Sequence, residues 1–410
     1  MMWDESRDGV VALMDGPVLE AMEPRLLLST VDIVGGKAVY TTTTEAGTVT
    51  VTVKLTGGGS GYVSFPGDNN TGTPSLYIDL VGAKSNSTLT ITVKEPKKSN
   101  AGTSFEDIVV TNGSLKSVKA PKVELEGDTG LSMAVSGKTS IVLGGLYMSY
   151  VSLTAAAPAQ VSMTITGSAF RSIITAPNTI MAITAKGWSG SKVTADVFTK
   201  ISLSGDVTSN GAWVSTFTAL GTTVKGVSIG AIKVKGVFNA NVIAVGSITS
   251  LTAFKLGGGA ITADSLGKLV VSGMKGKPKK GISAISGDVL AVIDLAGEFV
   301  KPGKKVLGSA KIAGSLGAEN DKDLDGNPTI EKIGTGSLTV RGDAGTISVK
   351  NLFTTLTVDG KASIKSVDLL MLQTTEPVIW VGTISLESGS VKNGKTRAAA
   401  VSAPTTYYVV

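Results

Sequence analysis

Asp321-Lys322-Asp323-Leu324-Asp325-Gly326-Asn327 is the stretch of this chain whose residue types and spacing point most directly to chemistry. Carboxylates at alternate positions, followed by an amide, set hard oxygen donors along one side of a tight loop, and Gly326 gives the backbone freedom to turn sharply about an ion. The chemistry expected of Asp321, Asp323, Asp325 and Asn327 is the binding of Ca2+ as a structural ion, ordering an acidic loop inserted at 318–332. An acidic solvated turn is the plainer reading of the same residues.

The segment is similar to the opening of EF-hand-like and dockerin-like calcium loops, but it departs from them at the twelfth position. A bidentate carboxylate belongs there; this chain has Lys332, with Glu331 one place early. Cleavage of a polysaccharide would need a different arrangement, either paired carboxylates or a basic residue beside a bound ion, gathered on one exposed face. Asp288, Asp294 and Glu298 are the nearest such set, with Lys275 to Lys280 upstream, and three solvated turn carboxylates describe them equally well. Arg341-Gly342-Asp343 spells a tripeptide that some adhesins present to integrins, a match that a glycine-rich chain meets by chance. Gly257-Gly258-Gly259 lacks the lysine and helix of a phosphate-binding loop and reads as a turn.

The chain contains neither histidine nor cysteine. This excludes Ser-His-Asp and Cys-His nucleophiles, imidazole or thiolate zinc sites, CxxC redox chemistry and disulfides. Aromatics are only 5% of residues, and Trp188, Trp213 and Trp380 lie far apart in sequence, so an aromatic sugar platform is not in evidence. The expectation is a protein without catalysis. The alternative is a carbohydrate-active β-helix enzyme, a polysaccharide lyase or glycosidase.

The net charge of +6 comes almost entirely from lysine, since only five arginines are present. Lys97-Lys98, Lys275 to Lys280 and Lys301 to Lys305 read as separate clusters, either solvated loop tips or contacts to an anionic polymer such as a cell-surface polysaccharide, lipid headgroup or nucleic acid. Base-edge readout favours arginine, so no specific nucleic-acid binding is expected. A transmembrane helix is not expected either, because no window holds the roughly 18 apolar residues one needs.

These side chains need a scaffold, and composition indicates which kind. With 51 glycines in 410 residues, 17% charged residues and an abundance of Thr, Ser, Val, Ile and Ala, the text reads as short strands joined by tight turns. Thr48 to Leu55 alternates polar and apolar residues strictly, as does Asn86 to Val93, the mark of half-buried strands. The block 30–106 is either an N-terminal β cap or the first coils of a solenoid. From about residue 107 a phrase of glycine, small polar residue and aliphatic recurs at Gly113-Ser114-Leu115, Gly246-Ser247-Ile248, Gly336-Ser337-Leu338, Gly345-Thr346-Ile347 and Gly382-Thr383-Ile384. Ser-Gly-Asp-Val occurs at 204–207 and again at 286–289. Units too short to bury an apolar face alone must stack, which predicts an all-β right-handed parallel β-helix over 107–390. At about 20 to 25 residues per coil this would make a rod of roughly 55 Å. Tandem antiparallel β-sandwiches are the alternative, and 391–410 is expected as a C-terminal tail whose Tyr407-Tyr408-Val409-Val410 could add a last strand.

Residues 1–29 are acidic and lack the basic start and apolar core of an ordinary signal peptide. Met22-Glu23-Pro24-Arg25-Leu26-Leu27-Leu28-Ser29 resembles the LEPR-XLL motif, with Met22 where the family has leucine. That motif stands near the N-terminus of large, repetitive, exported bacterial proteins, notably of planctomycetes. The resemblance implies that 1–29 is a sorting or export segment and that the chain is an exported structural or adhesive cell-surface component, whose partners would be a surface polysaccharide, another surface protein or further copies of itself.

Overall fold

The computed structural model describes residues 29–33, 35–44, 47–65, 76–95, 103–155, 158–208, 213–317, 336–352, 354–366, 382–393, 399–401 and 405–409. Among them the protein is all-β, with one short 3-10 turn at Pro278–Lys280 and no α-helix. The strands join one large, mostly parallel sheet. Antiparallel sandwiches are not what forms: from Leu76–Val81 to Gly382–Asn393 successive segments pair in parallel, and antiparallel neighbours of named strands are confined to the two ends.

The parallel pairs fall into three ladders. In the first, Leu89, Val118, Ile141, Met163, Ile183, Ile201, Ile232, Leu251, Leu269, Ala310, Ile347, Ile364 and Val391 follow one another in register. The second runs from Ile78 through Ile108, Leu131, Val151, Ile174, Val193, Phe217, Val242, Ile261, Ile293, Leu338 and Leu356 to Ile384. The third passes from Phe105 through Leu125, Leu146, Ala169, Trp188, Val207, Phe238, Leu256 and Val289 to Leu316 and Leu352. Along the chain a first-ladder segment is followed by a third-ladder and then a second-ladder segment, so one circuit makes one rung. All these residues except Val391 are buried, and together they form one continuous core. Strand alternation turns every second side chain into it.

Rung length varies widely. Ile347 and Ile364 are 17 residues apart, whereas Leu269 and Ala310 are 41 apart, yet both pairs sit in register. The excess leaves at corners. Residues 272–288 loop out between the first and third ladders with antiparallel bridges Met274–Ile285 and Lys277–Ile282, and 296–306 cross from the second ladder to the first.

The recurring sequence phrase marks strand starts on two ladders rather than one corner. Ile248 and Ile347 belong to the first ladder, Leu338 and Ile384 to the second. The Ser-Gly-Asp-Val phrase has one structural meaning. Val207 and Val289 both enter the third ladder, and the preceding aspartates cap the next rung, with Asp206 Oδ1 accepting the Val237 N–H at 2.7 Å and Asp288 Oδ1 the Ser315 N–H at 2.8 Å. Gly205 and Gly287 lie against Gly236 and Gly314 of those rungs, where a Cβ would collide with the aspartate and the glycine backbone.

Both ends carry antiparallel strands. Ser29–Asp32 and Ser60–Phe65 extend the second ladder beyond Leu76–Val81, and Lys37–Thr44 and Gly47–Thr56 extend the first beyond Thr88–Lys94. At the other end Ala399–Val401 and Thr405–Val409 lie antiparallel to Gly382–Asn393, the second of them taking in Tyr407 to Val409, where a last strand was one expectation. Paired backbone at both ends covers edges that would otherwise template association.

Mid-core, Phe217 lies between Trp188 and Phe238 with ring centroids 5.4 Å and 6.2 Å away. Truncating that ring should leave a cavity shared by two ladders. Phe217→Ala is expected to destabilise by about 3–5 kcal/mol, and the outward neighbour Thr218→Ala by less than about 0.5 kcal/mol, read from urea midpoints. Equal effects would contradict the inward assignment.

Candidate functional site

Of the carboxylates that sequence singled out, Asp288 and Asp294 are engaged in holding rungs together. Asp288, besides capping Ser315, lies 3.9 Å from Lys255 Nζ. Asp294 points outward from the second ladder and grips the Arg341 guanidinium at both nitrogens, with Nη2 to Oδ2 at 3.2 Å. That contact, with Asp359 and Glu298 also nearby, raises the guanidinium above its ordinary value and keeps it charged. Asp288 thus adjoins the third ladder and Asp294 faces out of the second; they do not share one face as an acid-base pair. Arg341-Gly342-Asp343 is tied in at both ends, since Asp343 Oδ1 accepts the Lys361 N–H at 2.9 Å and its carbonyl accepts the Val306 N–H at 2.8 Å.

The same capping recurs elsewhere. Asp107 Oδ1 accepts the N–H groups of Thr129 at 3.1 Å and Gly130 at 2.6 Å, and buried Asp264 accepts that of Phe299 at 2.8 Å. Each carboxylate satisfies a backbone donor that an irregular corner leaves without a ladder partner.

Asp321, Asp323, Asp325 and Asn327 lie outside the described residues, as do Met22 to Leu28, Lys97-Lys98 and Trp380. Among the described residues, no group of three or more carboxylates is placed to hold a metal ion. Trp188 is a core residue whose Nε1 donates to the Ser191 carbonyl at 2.9 Å, and Trp213 lies beneath the Lys192 ammonium.

What the structure does bring together is lysine. On the outer side of the first ladder, Lys94, Lys119, Lys200, Lys233, Lys268 and Lys311 are all exposed. They occupy outward positions on successive or nearby rungs, flanking the inward Val93, Val118, Ile201, Ile232, Leu269 and Ala310–Ile312. Lys365 continues the set at one end and Lys54 at the other. The first-ladder segments contain no aspartate or glutamate, whereas the second-ladder segments carry Asp79, Asp107 and Asp294 and a single lysine, Lys192. Small or uncharged residues separate the cations: Lys233 pairs with Ser202 and Thr252, Lys268 with Ser250 and Ser309, Lys311 with Val270 and Ser348. At one end of this face is a polar groove of about 580 Å³, lined by Lys116, Lys119, Lys138, Ser140 and Gln160 among others.

Sequence reading picked out lysine clusters in loops and none of these strand lysines, because their spacing in the chain is irregular. The signal was a lysine at alternate positions of many different strands, and it becomes a face only when the register is known. The two described loop clusters border it: Lys275 to Lys280 lie in the loop that leaves the first ladder after Ser265–Val271, and Lys301 to Lys305 in the crossing that precedes Leu307–Leu316.

No protein-family model matches the chain, and no curated protein or solved structure matches it either.

Acidic side chains gather elsewhere. Glu124, on the third-ladder stretch of Ser117–Ala134, lies against Gly145 of the next rung, and Glu126 beside it accepts the Ser104 hydroxyl at 2.8 Å. Burial, and secondarily Glu126, push the Glu124 carboxyl above its ordinary value of 4.5. Its folded form holds a proton more tightly than the unfolded one, so its stabilising contribution is present at low pH and lost as pH rises through the raised value. Glu124→Gln should therefore gain on the wild type in thermal midpoint as pH is raised from about 4 to 7. A difference independent of pH would refute this.

Proposed function

We propose that the three ladders close into a right-handed parallel β-helix, and that the chain is an exported, non-catalytic cell-surface protein with a structural or adhesive role. The observation that carries this reading is the unbroken set of three inward ladders with paired strands across both ends. Strand-to-strand parallel crossovers are right-handed in almost all proteins, which supports the hand. Rungs spaced about 4.8 Å apart would give a first ladder of roughly 60 Å, a stiff spacer with long, flat sides. Export rests on the resemblance of Met22 to Ser29 to the LEPR-XLL motif. The lack of catalysis is supported by the duties of Asp288 and Asp294, one capping a rung and the other paired with arginine on another face.

Small-angle scattering of the purified full chain tests the architecture: a rod-like profile is expected, and a compact globule would overturn it. Incubation with acidic and neutral polysaccharides tests the absence of catalysis. Bond cleavage abolished by Asp288→Asn or Asp294→Asn would favour the lyase or glycosidase reading instead.

The calcium reading belongs to the same proposal. Leu316 ends the third-ladder part of its rung and Ser337 begins the second-ladder part, a crossing that takes only Gly190-Ser191 between Gly187–Ser189 and Lys192–Leu203. Asp321 to Asn327 lie in the stretch of sequence between these two segments. An ion bound only by the folded state raises the melting temperature by mass action. Millimolar Ca2+ is expected to do so, and Asp323→Ala to remove the effect; no shift in the wild type would count against the site.

A further inference from the structure

Taking the adhesive role proposed above as its basis, we infer that the outer face of the first ladder is a binding surface for a linear, carboxylate-bearing polysaccharide. Lysines recur on the outer side from Lys200 through Lys365, with Lys119 and Lys138 at the other end beyond two rungs, Gln160–Ile165 and 179–185, that carry none, and these cations have no carboxylates on their own segments. The ion pairs Lys255–Asp288 and Arg341–Asp294 both lie off this face. Like charges on one sheet face repel, so spreading them over one face costs stability that an opposite partner would return.

Spacing indicates a polymer. Lys200 and Lys233 are one rung apart, Lys233 and Lys268 two, Lys268 and Lys311 one. Their backbone anchors are therefore separated by roughly 5–10 Å along the ladder. At physiological salt the screening length is about 8 Å, so neighbouring potentials overlap into a continuous strip. Donors that diverge along a strip cannot converge on one small anion, but they suit a chain of regularly repeated charges, whose many weak contacts add.

The residues between the lysines select the class of polymer. They are Ser202, Ser250, Thr252, Ser309, Ser348 and similar small side chains, able to exchange hydrogen bonds with sugar hydroxyls and carboxylates. From Lys119 to Lys365 the first-ladder segments contain no arginine, and their one aromatic, Phe198, is fully buried. The face therefore lacks both the platforms on which single-stranded bases stack and the forks that read duplex base edges. Its outward apolar side chains, Val142, Met181 and Val270, are part-buried and scattered among serines and threonines rather than clustered as an apolar face that would enter a lipid interface.

The full chain is tested against polygalacturonate, neutral dextran, duplex DNA and phosphatidylserine vesicles. Polygalacturonate binding that weakens as NaCl is added is expected, with no retention on dextran. Reversing three charges on the face (Lys200→Glu, Lys233→Glu, Lys268→Glu) should weaken binding at least ~10-fold, whereas Lys84→Glu, Lys192→Glu and Lys255→Glu together, all off this face, should change it less than ~3-fold. The milder Lys→Gln triple on the same face should give a smaller loss in the same direction, and keeps the test valid if the reversal impairs folding. Equal losses from both triples would show net charge alone and overturn the assignment. So would absence of polygalacturonate binding at low salt, or tighter binding to DNA or vesicles. Scattering on the same samples separates the two levels: a rod that fails to bind refutes this surface alone, and a compact particle refutes the β-helix.

Discussion

Register is the constraint on which everything else in this protein depends. Each rung lies about 4.8 Å from the next, so every inward side chain stands directly over its counterpart, and a shift of one residue would exchange a rung's core and solvent faces. The ladders meet this demand with nearly uniform β-branched and leucine side chains, and where sizes differ they compensate. In the third ladder Ala169 stands between Leu146 and Trp188, making room where the largest side chain of the core arrives. Phe217 and Phe238 then continue the stack begun by the indole, across two ladders. Alternation of large and small across facing positions lets a continuous core reach interior packing density.

Corners are where register is hardest to keep, because turning the chain takes N–H and C=O groups out of the ladders. One corner is solved by a stack of buried serines between the third and second ladders. The Ser172 hydroxyl accepts the Ser149 N–H at 3.2 Å and donates to the Phe170 carbonyl at 2.9 Å, and Ser191 repeats this on the next rung toward Ser172 and Ser189. Just before each serine the backbone turns through the left-handed region, at Met148, Arg171 and Gly190. Glycine fits there freely. That Met148 and Arg171 occupy the same position shows the stack imposing its conformation on residues that would not choose it. Aspartate does the equivalent work at other corners, which is why Asp206 and Asp288 sit in matching phrases.

Much of this was legible in the residues. Strict alternation placed strands at Thr48 to Leu55, inside what forms as Gly47–Thr56, and at Asn86 to Val93, which overlaps Thr88–Lys94. Repeated glycine phrases indicated stacked parallel pairing, since those at Gly246, Gly336, Gly345 and Gly382 mark the chain entering a ladder. The period was not legible, because the same phrase opens strands on two ladders and insertions of differing length leave at differing corners. Asp288 and Asp294 looked like neighbours because they are close in sequence. Six residues of chain are enough to pass a corner, so they face different ways.

The lysine face was hidden for the converse reason. Lys200, Lys233, Lys268 and Lys311 have no common spacing in the chain, yet pairing through Ala231, Ser250 and Ser309 keeps them in two adjacent outward columns on one sheet face. Net charge could not reveal this, since +6 is compatible with any distribution of cations. What distinguishes the face is a pattern on two levels: carboxylates are drawn to corners and to the other ladders, where backbone N–H groups or arginine engage them, while the first ladder's strands carry lysine alone. Capping explains where the acids are, but nothing in the folding of a strand requires an outward lysine where serine or threonine would serve. The cations are thus the part of the sequence that the scaffold does not account for, and the part on which a partner of opposite charge would act.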